Sequence, residues 1–118
     1  MHDVVTPPSA MQCVEICRIV RYMVAEMIHL SGDRVRLRQD RRRMLCHVRQ
    51  IAMYVCHVVL SIPLSEIGPA FGRDRTTVGH ACHVVEDRRD DRVYDDFISS
   101  VERIVSAVFA RMEVPRHD

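Results

Sequence analysis

The chain has 118 residues, enough for one compact domain, and its 47 % hydrophobic content is ordinary for a globular protein and excludes a disordered class. Its apolar runs are too short to cross a membrane, and the start, MHDVVTPPSA, lacks the basic and apolar regions of a signal peptide. We therefore expect a cytoplasmic protein without membrane contact.

The net charge of +1 conceals an uneven distribution. Residues 34–49 hold seven arginines and one aspartate, a local charge of +6, whereas residues 1–33 and 93–118 each sum to −2. A concentrated basic segment is typical of a surface that contacts nucleic acid.

Five cysteines, an odd number without a CxxC pair, argue against a disulfide framework and a zinc ribbon. The five cysteines are expected as reduced, buried thiols, and Cys13 and Cys17 share one helix face, which favours a core role over a redox pair. Adjacent Cys-His pairs at 46–47 and 56–57 point about 100° apart on a helix, and the histidines of 80–83 supply only two of four zinc ligands. We expect no metal, no cofactor and no cysteine nucleophile, so no enzyme.

In chain order, the first predicted helix follows Pro7-Pro8, where Ser9 and Gln12 fit a capping box, and it stops at Ser31-Gly32. Its apolar positions recur at helical spacing: Cys13, Ile16, Cys17, Val20, Val24, Met27 and Ile28. Such a helix either packs on the rest of the chain, completing one core, or mediates a homodimer. Residues 33–43, DRVRLRQDRRR, fit a basic connector or the first turns of the next helix.

Four further helices are predicted at about 44–60, 63–71, 75–90 and 93–112. Gly72 suits the left-handed end of the short third helix, and Asp74 or Thr76 can cap the fourth. The fifth helix has an apolar stripe of Val93, Phe97, Val101, Ile104, Val105, Val108 and Phe109. No strand pattern competes over a useful length, which predicts an all-α fold.

The third and fourth helices, joined by Gly72-Arg73-Asp74, predict a helix-turn-helix. In that motif the first helix braces across the DNA backbone and the N-terminal residues of the second enter the major groove. Arg75, Thr76 and Thr77 carry the donors and methyl groups that suit base edges. From spacing alone, a plain helix N-cap with solvated neighbours explains these residues equally well.

Four sequence blocks over about residues 43–92 resemble the C-terminal DNA-binding domain (domain IV) of the bacterial replication initiator DnaA: RQIAMYVC, LSEIGPAFG, RDRTTVGHAC and VEDRRDD. The resemblance implies a Trp-repressor-like helix-turn-helix that binds double-stranded DNA. It places Thr76 and Thr77 at bases and Arg49 in the minor groove. It further implies that Asp74 helps to read the bases or to orient the reading residues, and that Arg73 faces a phosphate.

The candidate set extends beyond these positions. His80 matches a family block, although a helix-face structural role explains it equally well. The basic cluster from Arg34 to Arg43, which includes Arg41 and Arg42, precedes the predicted helix-turn-helix. It would contact phosphate on any sequence or form a solvated linker. The complete candidate set is Arg41, Arg42, Arg43, Arg49, Leu64, Ser65, Arg73, Asp74, Arg75, Thr76, Thr77 and His80.

Two departures from the family bear on the target. The family usually has two glycines before the Arg-Asp pair, where this chain has only Gly72, and usually a histidine where it has Arg75. The DnaA box is therefore not assured, and a G-containing variant is an alternative. No G-x-x-x-x-G-K-[ST] loop is present, so we expect no nucleotide cofactor and a stand-alone reader without the ATPase module.

The expected organisation is an N-terminal helix in 1–32, the DnaA-like reader with its basic leader in 33–92, and a C-terminal helix in 93–118. The leading hypothesis is a nucleoid-associated transcription regulator. The alternatives are a replication modulator that competes with the initiator at DnaA boxes, or a protein-interaction module that has lost DNA binding.

Overall fold

A computed structural model of the chain describes residues 10–31 and 41–110. These ranges contain five helices and no strand, which confirms the all-α fold. The helices are α1 (Ala10–Leu30), α2 (Arg41–Val58), α3 (Leu64–Phe71), α4 (Arg75–Arg88) and α5 (Arg92–Ala110). The capping residue Ser9 and most of the basic segment, residues 33–40, lie outside the described residues.

Helix α2 is the central element, and it contacts every other helix. All six residues from Ile51 to Cys56 are buried, so this stretch is apolar around its whole circumference. Full burial of a side chain such as Met53 contributes about 1.5 to 3 kcal/mol. The helix begins at Arg41 rather than near 44, so residues 41–43 form its first turn.

Helix α1 packs on α2 and α3 through the predicted stripe. Its buried members are Cys13, Cys17, Val20, Val24 and Ile28. The predicted burial is confirmed for Cys13 and Cys17, which are free, whereas it was wrong for Cys46 and Cys82, which are only half-buried. Burial raises the pKa of Cys13 to about 12, and the thiol donates to Oε1 of Glu66 at 2.9 Å. The homodimer through α1 stays a prediction.

Helix α5 buries Ile98, Val101, Val105 and Phe109 against the core. The prediction was wrong for Val93, which is 80 % exposed at the first turn of the helix. Ile104 and Val108 are exposed as well, so the buried stripe is narrower than the sequence pattern suggested. None of the helices in the described ranges is long and apolar enough to cross a membrane.

Arg89, directly after α4, joins three helices through polar contacts. It donates at 3.0 Å to the hydroxyls of Tyr54 and Ser99 and to the carboxylate of Glu102. Tyr54 in turn donates to Oε2 of Glu86 at 2.6 Å. Burial, together with this acceptor, raises the pKa of Tyr54 to about 12. The contacts fix the end of α4 and the start of α5 relative to α2.

Candidate nucleic-acid interface

The turn between α3 and α4 is fixed by a left-handed glycine. Gly72 has φ 68° and ψ 32°, and its N–H donates to the carbonyl of Pro69 at 3.1 Å. The N–H of Arg73 donates to the carbonyl of Gly68 at 2.8 Å. These two bonds form a Schellman motif, which ends α3 and reverses the chain within one residue. The predicted left-handed end at Gly72 is confirmed.

A second glycine permits the close approach of the turn to α3. A Cβ atom added at Gly68 would lie 2.7 Å from the carbonyl oxygen of Arg73, which is backbone and cannot move aside. Only a residue without a side chain fits there. Gly68 could not be singled out from the sequence, because the contact that requires a glycine comes from Arg73, five positions further along the chain.

Asp74 caps α4. Its Oδ1 accepts the backbone N–H of Thr77 at 2.8 Å, and this bond lowers the pKa of Asp74. Of the two predicted caps, Asp74 is therefore the one in use, and the carboxylate also lies at the positive end of the helix dipole. This contact occupies one oxygen of Asp74 and leaves the side chains of Arg75 and Thr76 exposed to solvent.

The two faces of α4 differ in environment. Val78, Ala81 and Val85 are buried in the core. His80, one turn after Thr76, is exposed. The helix is thus anchored along one side, while the residues at the start of the opposite side protrude. The predicted base readers lie there, with Thr77 half-buried at the boundary.

Helix α3 braces α4. Leu64 is half-buried, and its Cδ1 would lie 3.8 Å from a Cβ atom added at Gly79 of α4. Ser65 follows at the exposed first turn of α3. Leu64 therefore has a packing role, whereas the hydroxyl of Ser65 is open to solvent. DNA contact by either residue stays a prediction.

The predicted basic contacts are distributed along α2. Arg42 and Arg43 are exposed in its first turn, where Arg41 begins the helix. Arg49 lies two turns further along, is half-buried, and places Nη2 3.6 Å from Sγ of Cys46. Arg49 thus belongs to a helix rather than to a flexible arm. Its contact with the minor groove stays a prediction.

The Cys and His residues do not assemble a metal centre in the part of the chain that the structure describes, where no three potential ligands converge. His57 is instead held through Nδ1 by the carbonyl of Ile62 at 2.9 Å. His83 faces Asp87 on the surface of α4, with 3.7 Å between Nε2 and Oδ2.

Comparison with known proteins decides the family. The family profile described as "Bacterial dnaA protein helix-turn-helix" matches residues 17–85, which include α2, α3 and most of α4. The chain belongs to this DnaA helix-turn-helix family. The match covers the turn at Gly72 and the capped start of α4, so the predicted helix-turn-helix is confirmed at these positions.

Curated DnaA proteins are similar over different lengths of the chain. The chromosomal replication initiator protein DnaA of Bifidobacterium animalis subsp. lactis is 40 % identical over 70 residues, covering 58 % of this chain and 12 % of the relative. The DnaA of Symbiobacterium thermophilum is 32 % identical over 108 residues, covering 90 % and 22 %. That of Corynebacterium aurimucosum is 29 % identical over 107 residues, covering 88 % and 19 %.

This chain therefore spans about a fifth of the relatives' length, or less. No solved structure is significantly similar to the chain.

Proposed function

We propose that this protein is a sequence-specific reader of double-stranded DNA and acts as a cytoplasmic, nucleoid-associated transcription regulator without enzymatic activity. One observation carries the proposal: Arg75 and Thr76 are exposed at a helix start that Asp74 caps. The opposite face of that helix is anchored by buried Val78. A rigid helix whose first polar residues protrude can place them in a major groove.

The base contacts come from the start of α4. The guanidinium of Arg75 can donate twice to O6 and N7 of guanine, which favours a target with a G at that position. The methyl groups of Thr76 and Thr77 can contact thymine methyls, and their hydroxyls can bond base edges or phosphate. His80, one turn on, extends the same face. Asp74 acts mainly by holding the helix start.

The backbone contacts come from three elements around the reader. Arg73 in the turn and Ser65 at the start of α3 are exposed beside α4 and contact phosphate oxygens. Leu64 positions them by packing on α4. The arginines 41–43 at the start of α2 add contacts that do not depend on sequence and that weaken as salt rises.

Arg49 reaches the minor groove next to the bases that α4 reads. A cation is favoured there where A·T-rich sequence narrows the groove and strengthens its negative potential. An Arg49→Ala variant should therefore lose discrimination at an A·T-rich flank. Inosine–cytosine pairs present a minor-groove edge similar to that of A·T pairs. If Arg49 reads the minor groove, Arg49→Ala should therefore lose the same discrimination on a flank in which inosine–cytosine pairs replace the A·T pairs. A loss of affinity that is equal on every flank would assign Arg49 to phosphate instead.

A second function is favoured by the similarity to replication initiators. A reader of this family can occupy DnaA boxes and compete with the initiator, which would make it a replication modulator. The two functions differ in target. Selection of bound duplexes from a randomised library identifies the preferred sequence, and titration on DnaA-box and scrambled duplexes measures the preference. Strong box preference supports the competitor, and a different motif supports the regulator.

Matched variants make this test specific. Thr76→Ala together with Thr77→Ala should abolish the preference for the selected sequence, whereas Ser106→Ala, an exposed hydroxyl on α5, should not change it. If the double variant retained wild-type discrimination, α4 would not be the reader. If the wild-type chain bound selected and scrambled duplexes equally, sequence-specific recognition would be excluded.

A further inference from the structure

A basic groove lies on the side of α2 at the far end of α4. It has a volume of about 550 Å³ and is lined by Arg42, Arg43, Cys46, His47, Gln50 and Arg88. Three of the six lining residues are arginines and none is a carboxylate, so the groove concentrates positive charge. Gln50 adds an amide that can donate to an oxygen.

Arg88 is directed into this groove by a specific contact. Its Nη1 lies 2.7 Å from Nδ1 of His47. Because a guanidinium only donates, Nδ1 of His47 must accept, which leaves the proton of the neutral ring on Nε2. The last residue of α4 is thus tied to the second turn of α2. This contact holds the guanidinium of Arg88 in the same groove as Arg42 and Arg43.

The groove is too distant from the reading end of α4 to serve the same phosphates. Arg88 follows Arg75 by thirteen residues of continuous helix, which corresponds to about 20 Å along the axis. The major groove of B-DNA is only about 12 Å wide. Phosphates bound at Arg88 must therefore belong to nucleotides other than those whose bases Arg75 and Thr76 contact.

We propose that this groove binds phosphodiester oxygens of the duplex that flanks the recognised bases, so that the protein requires DNA beyond its core site. The inference rests on the proposed DNA-reading function and extends it. Arg88 and Arg42 supply the charge, and His47 positions Arg88. Contacts of this kind add affinity without adding base discrimination.

The test compares two duplexes that carry the same selected core, one with long flanks and one trimmed to the core. Wild-type protein should bind the long duplex more tightly. Arg88→Ala should weaken binding to the long duplex about 3- to 10-fold, lower its salt slope by about 1, and leave the short duplex almost unchanged. Arg42→Ala should act in the same way, and Arg88→Lys should restore part of the flank dependence.

Arg103→Ala provides the control, because Arg103 is an exposed arginine of α5 whose guanidinium contacts Ser100 within the same helix. It should change neither duplex. Arg88→Ala losses of equal size on both duplexes, or none on either, would overturn the flanking contact while leaving the reader intact. Absence of any specific binding by the wild-type chain would overturn the proposed function and the groove together.

Discussion

The carboxylate of Asp74 accepts the backbone N–H of Thr77 at 2.8 Å, so the residue that closes the turn also sets the start of the helix that carries the candidate base readers. Under the proposed function, stability and recognition are therefore expected to depend on the same side chain. The cap holds the first turn of α4 in helical geometry, and the positions of Arg75 and Thr76 follow from it.

Asp74→Ala should lower both the melting temperature and the affinity for the selected DNA, because the N–H of Thr77 loses its acceptor. Asp74→Asn keeps an acceptor oxygen and should retain most of the stability. The two variants are compared by thermal melting followed by circular dichroism. An alanine variant that melts with the wild type would show that the cap does not stabilise the fold.

The same bond predicts an acid dependence. The pKa of Asp74 is lowered in the folded state because the carboxylate accepts the N–H of Thr77. Its stabilising contribution is present above the unfolded-state pKa, about 4, and is lost as pH falls through the lowered folded value. Melting temperatures measured from neutral pH down to acid should therefore fall less for Asp74→Asn than for the wild type. If the melting temperatures of the two proteins fell in parallel with pH, the Asp74 carboxylate would not contribute to stability in this way.

Gly68 in α3 and Gly79 in α4 should respond oppositely to alanine. Gly68→Ala places a Cβ atom against the carbonyl of Arg73 and should cost about 1 to 3 kcal/mol in the free energy of unfolding. Gly79→Ala meets only Leu64 at an ordinary distance and should stabilise α4 by about 0.5 to 1 kcal/mol. Urea unfolding measures both. Equal effects of the two changes would mean that the turn relaxes away from α3.

Arg89 should be the costliest single arginine to remove. Its side chain is 18 % exposed, and its guanidinium contacts a hydroxyl of α2 and carboxylates and a hydroxyl of α5. Arg89→Ala leaves Glu102 and Tyr54 without their donor, and a cost of about 2 to 3 kcal/mol is expected after allowing for solvent screening. Arg92→Ala, at an exposed position of α5, is the control and should change the unfolding free energy by about 0.5 kcal/mol or less.

Residues that read bases and residues that contact phosphate should be distinguished by comparing binding to the preferred site with binding to random DNA. Thr77→Ala is expected to cost about 1 to 3 kcal/mol on the preferred site and little on random DNA. Arg42→Ala should weaken binding to both alike when the two duplexes carry the same long flanks, because phosphate contacts carry no sequence information. Fluorescence titrations at one salt concentration give the four affinities. Equal losses on both duplexes for Thr77→Ala would refute its role in base reading.

Local pattern was enough for much of the architecture. The helical spacing of apolar residues predicted α1 with its buried Cys13 and Cys17. Gly72 marked the end of α3, and the cap of α4 was narrowed to Asp74 or Thr76. These features depend on interactions within a few residues of the chain. The resemblance of the 43–92 segment to DnaA supplied the family for the same reason, since its motif is contiguous.

Other features depended on residues that are distant in sequence. In the sequence, the run EDRRDDR shows only charges of both signs. The fold places Arg89 among Tyr54, Ser99 and Glu102. Its neighbour Arg88 contacts His47 instead. Gly68 is required only because the backbone of Arg73 returns to it, and Val93 is exposed because α5 turns that position outward.

The sequence by itself thus predicted the helices, the left-handed end of α3 and the family, because each is encoded by short-range spacing. Only the tertiary structure decided which charges are held inside and which remain available to a polyanion. Arg88 and Arg89 are neighbouring arginines in the sequence. Only the packing of α2, α4 and α5 surrounds Arg89 with acceptors and places Arg88 at an open groove.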